Sequence, residues 1–137
     1  MKRNELQELA IERLNEAQAL LGVGLWSGAY YLSGYSIELA LKACIARQFQ
    51  AEEIPDLKTV QRIWTHKLDE LLTMAKLKPD LDKRCKVEAG FASNWNSVME
   101  WNEAARYRKI DENEAREMLE ALSNPNDGVF EWIRSKW

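Results

Sequence analysis

Glu38 and Lys42 stand four residues apart with the acid on the N-terminal side. On a helix this is the favourable order for a side-chain ion pair. Two readings follow. The pair, or its members with charges on a neighbouring helix, holds helices in register. Alternatively, both residues line a polar cleft with Arg106 across from them as an anion-binding group, because a guanidinium grips phosphate in a forked geometry that lysine cannot match. His66 is the one histidine of the chain. It falls at an expected helix N-terminus, where the helix dipole favours a neutral imidazole, a state suited either to packing on Trp64 or to service as a general base. Trp101, Tyr107, Arg106 and Arg108 form an interleaved aromatic and basic segment. Such a segment can stack on bases and contact phosphates. Trp95, by contrast, lies on a helical apolar stripe and reads as core. The candidate ligand-binding residues are therefore Glu38, Lys42, Trp101, Arg106, Tyr107 and Arg108, and the catalytic candidates are His66 and Arg106.

Other chemistries have no residues to carry them. Cys44 and Cys85 make no metal-ligand spacing and no disulfide framework. A single histidine cannot supply a histidine-rich metal site, so no metal and no cofactor are expected. Nineteen basic against 22 acidic residues give a net charge of −3, which excludes a protein that coats nucleic acid by charge alone but permits a local basic patch. With 137 residues, 46% hydrophobic and 30% charged, the chain suits one folded domain over residues 1–137. No apolar run approaches the roughly 20 residues of a membrane span. The opening residues, Met1 to Glu8, lack the apolar core of a secretory signal. A cytoplasmic protein without membrane contact is the expectation.

The elements that must position these residues are helices. Leu6, Leu9, Ala10, Leu14, Ala17, Leu20 and Leu21 recur at intervals of three and four, predicting an amphipathic helix over about Arg3 to Leu21. Gly22 and Gly24 punctuate its end. From Trp26 to about Gln48 the segment is apolar nearly all round, with small residues between large ones, which predicts a central helix closely approached by its neighbours. Gln50 to Thr65 reads as a loop with one short helical turn. Thr65 is the expected N-cap of a short helix carrying Leu68, Leu71, Leu72 and Ala75. Pro79 and Asp80 start the next helix, whose stripe (Leu81, Cys85, Ala89, Ala92, Trp95, Val98, Met99) runs to Trp101. Asp111 and Glu114 have capping-box spacing before the inward-facing Ala115, Met118, Leu119 and Leu122. After Asn124–Gly128 a last helix carries Val129, Ile133 and Trp137. No segment alternates with a period of two, so the fold class is all-α.

The stretch Gly28-Ala-Tyr-Tyr-Leu-Ser-Gly-Tyr-Ser-Ile-Glu-Leu-Ala-Leu-Lys-Ala43 resembles the second helix of the HEPN (higher-eukaryote and prokaryote nucleotide-binding) domain. Thr65-His66-Lys67-Leu68, Trp101, Arg106-Tyr107 and Gly128-Val-Phe-Glu-Trp-Ile133 follow in the family's order, so the resemblance covers nearly the whole chain. It implies an up-and-down bundle of four to five main helices with a short C-terminal helix, commonly a homodimer. It also implies company with nucleotide or RNA chemistry, often in bacterial toxin–antitoxin or defence systems. Many members are metal-independent ribonucleases marked by an arginine followed after four to six residues by a histidine. In such a pair the histidine moves a proton and the arginine stabilises charge on phosphate. Here Arg62 precedes His66 with only three residues between, and neither Arg106 nor Arg108 has a histidine after it.

These observations lead to a non-catalytic HEPN-type binding module that presents a polar cleft to a nucleotide, RNA or partner protein. The partners implied are a second copy of the chain and a nucleotidyltransferase-like, toxin or antitoxin protein. Two alternatives stand beside it. One is a divergent ribonuclease using His66 with Arg62 or Arg106. The other is an interaction module of antitoxin or immunity type, whose acidic face (Asp111, Glu112, Glu114, Glu117, Glu120) meets a basic protein or is simply solvated.

Overall fold

In the computed structural model, which describes residues 1–137, the backbone forms eight α-helices and one 3-10 turn, with no strand. The helices are α1 (Arg3–Gly22), α2 (Trp26–Ala46), α3 (Leu57–Ile63), α4 (Leu68–Met74), α5 (Lys78–Val87), α6 (Ala89–Met99), α7 (Glu112–Ser123) and α8 (Val129–Arg134). The 3-10 helix η1 (Glu103–Tyr107) lies between α6 and α7. Five helices have ten residues or more, and the last is short, as the sequence leads one to expect. No helix is long and apolar enough to cross a membrane.

Helix α2 is the axis of the molecule. Thirteen of its 21 residues are buried, and it packs against α1, α4, α7, α8 and η1. Its buried hydroxyls are satisfied locally: Ser33 Oγ donates to the Ala29 carbonyl at 2.7 Å and Ser36 Oγ to the Ser33 carbonyl at 2.6 Å. Gly34 faces the indole of Trp101 so closely that no Cβ fits between them. Trp101, 3% exposed, thus fastens the start of η1 to the middle of α2. Trp132 is buried against the edges of Phe91 and Trp95, with ring centroids 5.4 and 6.1 Å away, and Trp137 packs edge-on to Phe130.

Helix ends follow from backbone chemistry. Gly24, at φ +80, takes the left-handed position after α1, and the amides of Leu25 and Gly24 close onto the carbonyls of Leu20 and Leu21. After α4 the same closure is made by Lys76 at φ +59, with Leu77 and Lys76 donating to Leu72 and Thr73. Asp111 caps α7 by accepting from the Glu114 amide at 2.9 Å. The return half of that capping box is not made, because the Glu114 carboxylate pairs with Arg108 at 2.7 Å.

Three sequence expectations are corrected. The segment before Thr65 holds a full seven-residue helix, α3, capped by Asp56, and none of its residues is buried. Thr65 is not the N-cap of α4. That place belongs to Lys67, whose amide donates to Thr65 Oγ1 at 3.2 Å. The helix expected from Pro79 to Trp101 is two helices, broken at Glu88 (φ −126, ψ 94), and Asp80 sits in the first turn of α5 without capping it. At the break Arg84 reaches away to the Asn126 carbonyl (2.9 Å) and the carboxylates of Glu88 and Asp127.

Candidate functional site

Tyr31, Tyr35, Glu38 and Lys42 recur on α2 at intervals of four, three and four, so they form one stripe along the helix. Glu38 is the buried member, 1% exposed. A carboxylate taken out of water needs partners, and Glu38 has two. Lys42 Nζ donates to Oε1 at 2.7 Å from one turn further along. His66 Nδ1 lies 3.0 and 3.1 Å from the two carboxylate oxygens. His66 is delivered by the short connection between α3 and α4, two residues before Leu68, whose burial with Leu71 and Leu72 anchors α4 beside α2.

With Nδ1–H given to Glu38, the imidazole is fixed in orientation and its Nε2 faces outward. There it meets Glu103 Oε2 at 3.3 Å. The His66 and Glu103 side chains are 45% and 48% exposed, so this second contact lies at the surface. The ring's two nitrogens thus face carboxylates rather than the free amides of a helix terminus. Glu103 opens η1, which Asn102 caps by accepting from the Ala104 amide at 2.9 Å. In a 3-10 helix residues three apart eclipse one another, so Arg106 shares the face of Glu103 about 6 Å along the axis.

Arg106 is in contact with no carboxylate. Its guanidinium lies over the Tyr107 ring, 4.9 Å from the centroid. The Tyr107 hydroxyl, and less strongly Tyr31, hold it still more firmly protonated than a free arginine. Tyr107 is 79% exposed. Tyr31 and Tyr35 stack with centroids 6.3 Å apart. Burial, and secondarily the Glu38 charge, raise the Tyr35 hydroxyl above the usual phenol range.

Of the residues singled out in the sequence, Glu38, Lys42 and His66 are brought into direct contact. Arg106 and Tyr107 flank them through η1. Trp101 is in the core, wedged on Gly34 with Tyr31 at 6.0 Å, so its role is to seat η1 rather than to offer an open ring. Arg108 turns to α7, bound to Glu114. Arg62 lines a cavity of about 420 Å³ between α3, α4, α5 and α6, whose lining includes Trp95 and no residue of the α2 stripe. Sequence reasoning missed Glu103, Tyr31 and Tyr35. The stripe spacing on α2 and the Glu103–Arg106 spacing were signals for them. The meeting of Glu38 with His66, 28 residues apart, had none.

The model of the HEPN domain family matches residues 4–136. This chain is a HEPN domain. Searches of curated proteins and of solved structures return no significant match. The family ties the HEPN fold to nucleotides and RNA, and its members often dimerise and act on RNA. In this HEPN domain the one histidine lies ahead of α4, bound to a carboxylate of α2, and no histidine follows Arg106 in η1.

Proposed function

We propose that this HEPN domain binds a single-stranded RNA along the strip formed by Tyr107, Arg106, His66 and the α2 stripe, without cleaving it. The observation that carries this reading is Arg106: a guanidinium with no acidic partner, stacked on an exposed tyrosine and sharing a face of η1 with the residue that touches His66. Arg106 is the phosphate contact, and the free face of Tyr107 is the stacking platform for a base. Glu38 and Lys42 act from behind, holding the imidazole in place. Fluorescence anisotropy with a fluorescein-labelled RNA dodecamer tests the reading. Arg106→Ala is expected to weaken binding about tenfold and to reduce the salt dependence by about one phosphate contact. Unchanged affinity for that variant, or no binding by the wild type at 50 mM salt, overturns it.

One observation favours a second reading, a metal-independent ribonuclease. The Glu38–His66 arrangement orients an imidazole as a carboxylate orients a general base. Cleavage of an RNA panel that is lost in His66→Ala supports it, and intact RNA with the wild type excludes it. We further propose that two copies of the chain associate, with the exposed apolar side chains of Ile54, Leu57 and Trp64 as the contact. Light scattering on the purified protein, wild type against Trp64→Glu, tests this.

A further inference from the structure

We propose that the Glu103 carboxylate holds the place that a phosphodiester of the ligand takes between His66 Nε2 and Arg106. The inference rests on the RNA-binding reading above and deepens it by naming the anion's seat. Its basis is a charge balance. Glu38 is neutralised by Lys42, one ion pair at 2.7 Å, yet its carboxylate also receives His66 Nδ1. Both nitrogens of the ring face carboxylate oxygens: Nδ1 is hydrogen-bonded to Glu38, and Nε2 stands 3.3 Å from Glu103 Oε2, an ion pair whenever the ring carries a proton on each nitrogen. In that protonated form the ring has its counterion in Glu103.

Nothing else confines Glu103. Its side chain is 48% exposed, and His66 is its one ion-pair partner. It is therefore free to swing into solvent. Its departure leaves the outward Nε2 of His66 open toward η1, where Arg106 lies one eclipsed turn on from Glu103 and has no carboxylate of its own. A protonated Nε2 and a guanidinium carried on the same face of η1 as Glu103 are the two donors a phosphate would take there, and charge-assisted bonds to phosphate are the stronger kind. The base 5′ or 3′ of that phosphate then lies within reach of Tyr107. In the free protein the carboxylate is the ligand's internal substitute, so every binding event includes its displacement.

The experiment is a double-mutant cycle read as RNA affinity. The labelled dodecamer is titrated at one salt concentration into the wild type, Glu103→Gln, His66→Ala and the double variant. Circular dichroism checks that each retains its helices. Glu103→Gln is expected to bind about fivefold tighter than the wild type, and the same change in the His66→Ala background to alter affinity less than twofold. Equal tightening in both backgrounds overturns the inference, because removal of a distant negative charge would then explain it. So does an unchanged affinity in Glu103→Gln while Arg106→Ala still weakens binding, a result that leaves the RNA-binding reading standing. Absence of binding in all four proteins removes that reading and the seat with it.

Discussion

Replacing Gly34 by alanine sets two effects of opposite sign against each other. In α2 alanine is the better helix former by about 0.8–1 kcal/mol. The added methyl, however, would occupy the space of the Trp101 indole. Forcing extra volume into a packed contact costs about 1–3 kcal/mol, and driving the indole out altogether costs about 3–5 kcal/mol, the price of losing a buried large aromatic. Because the added carbon would overlap several ring atoms of Trp101, the indole has to leave, and the net expectation is a loss of about 2–4 kcal/mol. In a Trp101→Ala background the obstacle is gone, and the same substitution should stabilise the protein by nearly 1 kcal/mol. Urea unfolding followed by circular dichroism, for the two single variants and the double, measures both signs. Gly34→Ala that is neutral or stabilising beside an intact Trp101 would refute the argument. So would equal destabilisation in both backgrounds. Because Trp101 leads directly into η1, Gly34→Ala should also weaken RNA binding by loosening Arg106.

Further outcomes follow from the same geometry. Lys76 occupies a left-handed position after α4, so Lys76→Gly should raise stability by about 0.5–1 kcal/mol in the same urea assay. Glu38→Gln strips Lys42 of its counter-charge and should cost about 3 kcal/mol, the low end for a broken buried pair because Lys42 and His66 keep some access to water. Adding Lys42→Met should recover part of that loss. Burial pushes the Cys44 thiol from 9.0 up to about 11, so at pH 8 it should resist alkylation by iodoacetamide until the protein unfolds, with Cys85 the faster of the two as judged by peptide mass mapping. The unfolded thiol ionises first, so burial of Cys44 contributes stability below pH 9 that is lost as pH rises toward about 11. Thermal unfolding across that range, wild type against Cys44→Ala, reads it out.

The large helices were legible because their burial is written as periodicity. The stripe of α1 and the all-round apolar surface of α2 could be read directly. Helix α3 was not readable as a full helix because none of its residues is fully buried and Ile63 is the one side chain it packs, half-buried, on the core, too little to make a stripe. The break at Glu88 was hidden for the opposite reason: a continuous 3-4 pattern crosses it, while its contacts, from Arg84 to Asn126 and Asp127, come from more than 40 residues away. At the site, Glu38 and Lys42 were visible because their pairing is local. Trp101 read as a free aromatic because the glycine that seats it lies on another element. Glu103 was invisible as a partner of His66, since no spacing relates them. Chemistry that depends on tertiary meetings leaves no period to detect.

The most direct test uses the fact that the protein has one histidine. A long-range nitrogen–proton correlation spectrum of His66 is recorded by NMR as the RNA dodecamer is added. If the strip is the binding surface, the outward Nε2 resonance moves with saturation, Nδ1 on Glu38 moves less, and the buried Trp95 and Trp132 indoles stay still. A saturating titration that leaves the His66 ring unmoved would contradict the account.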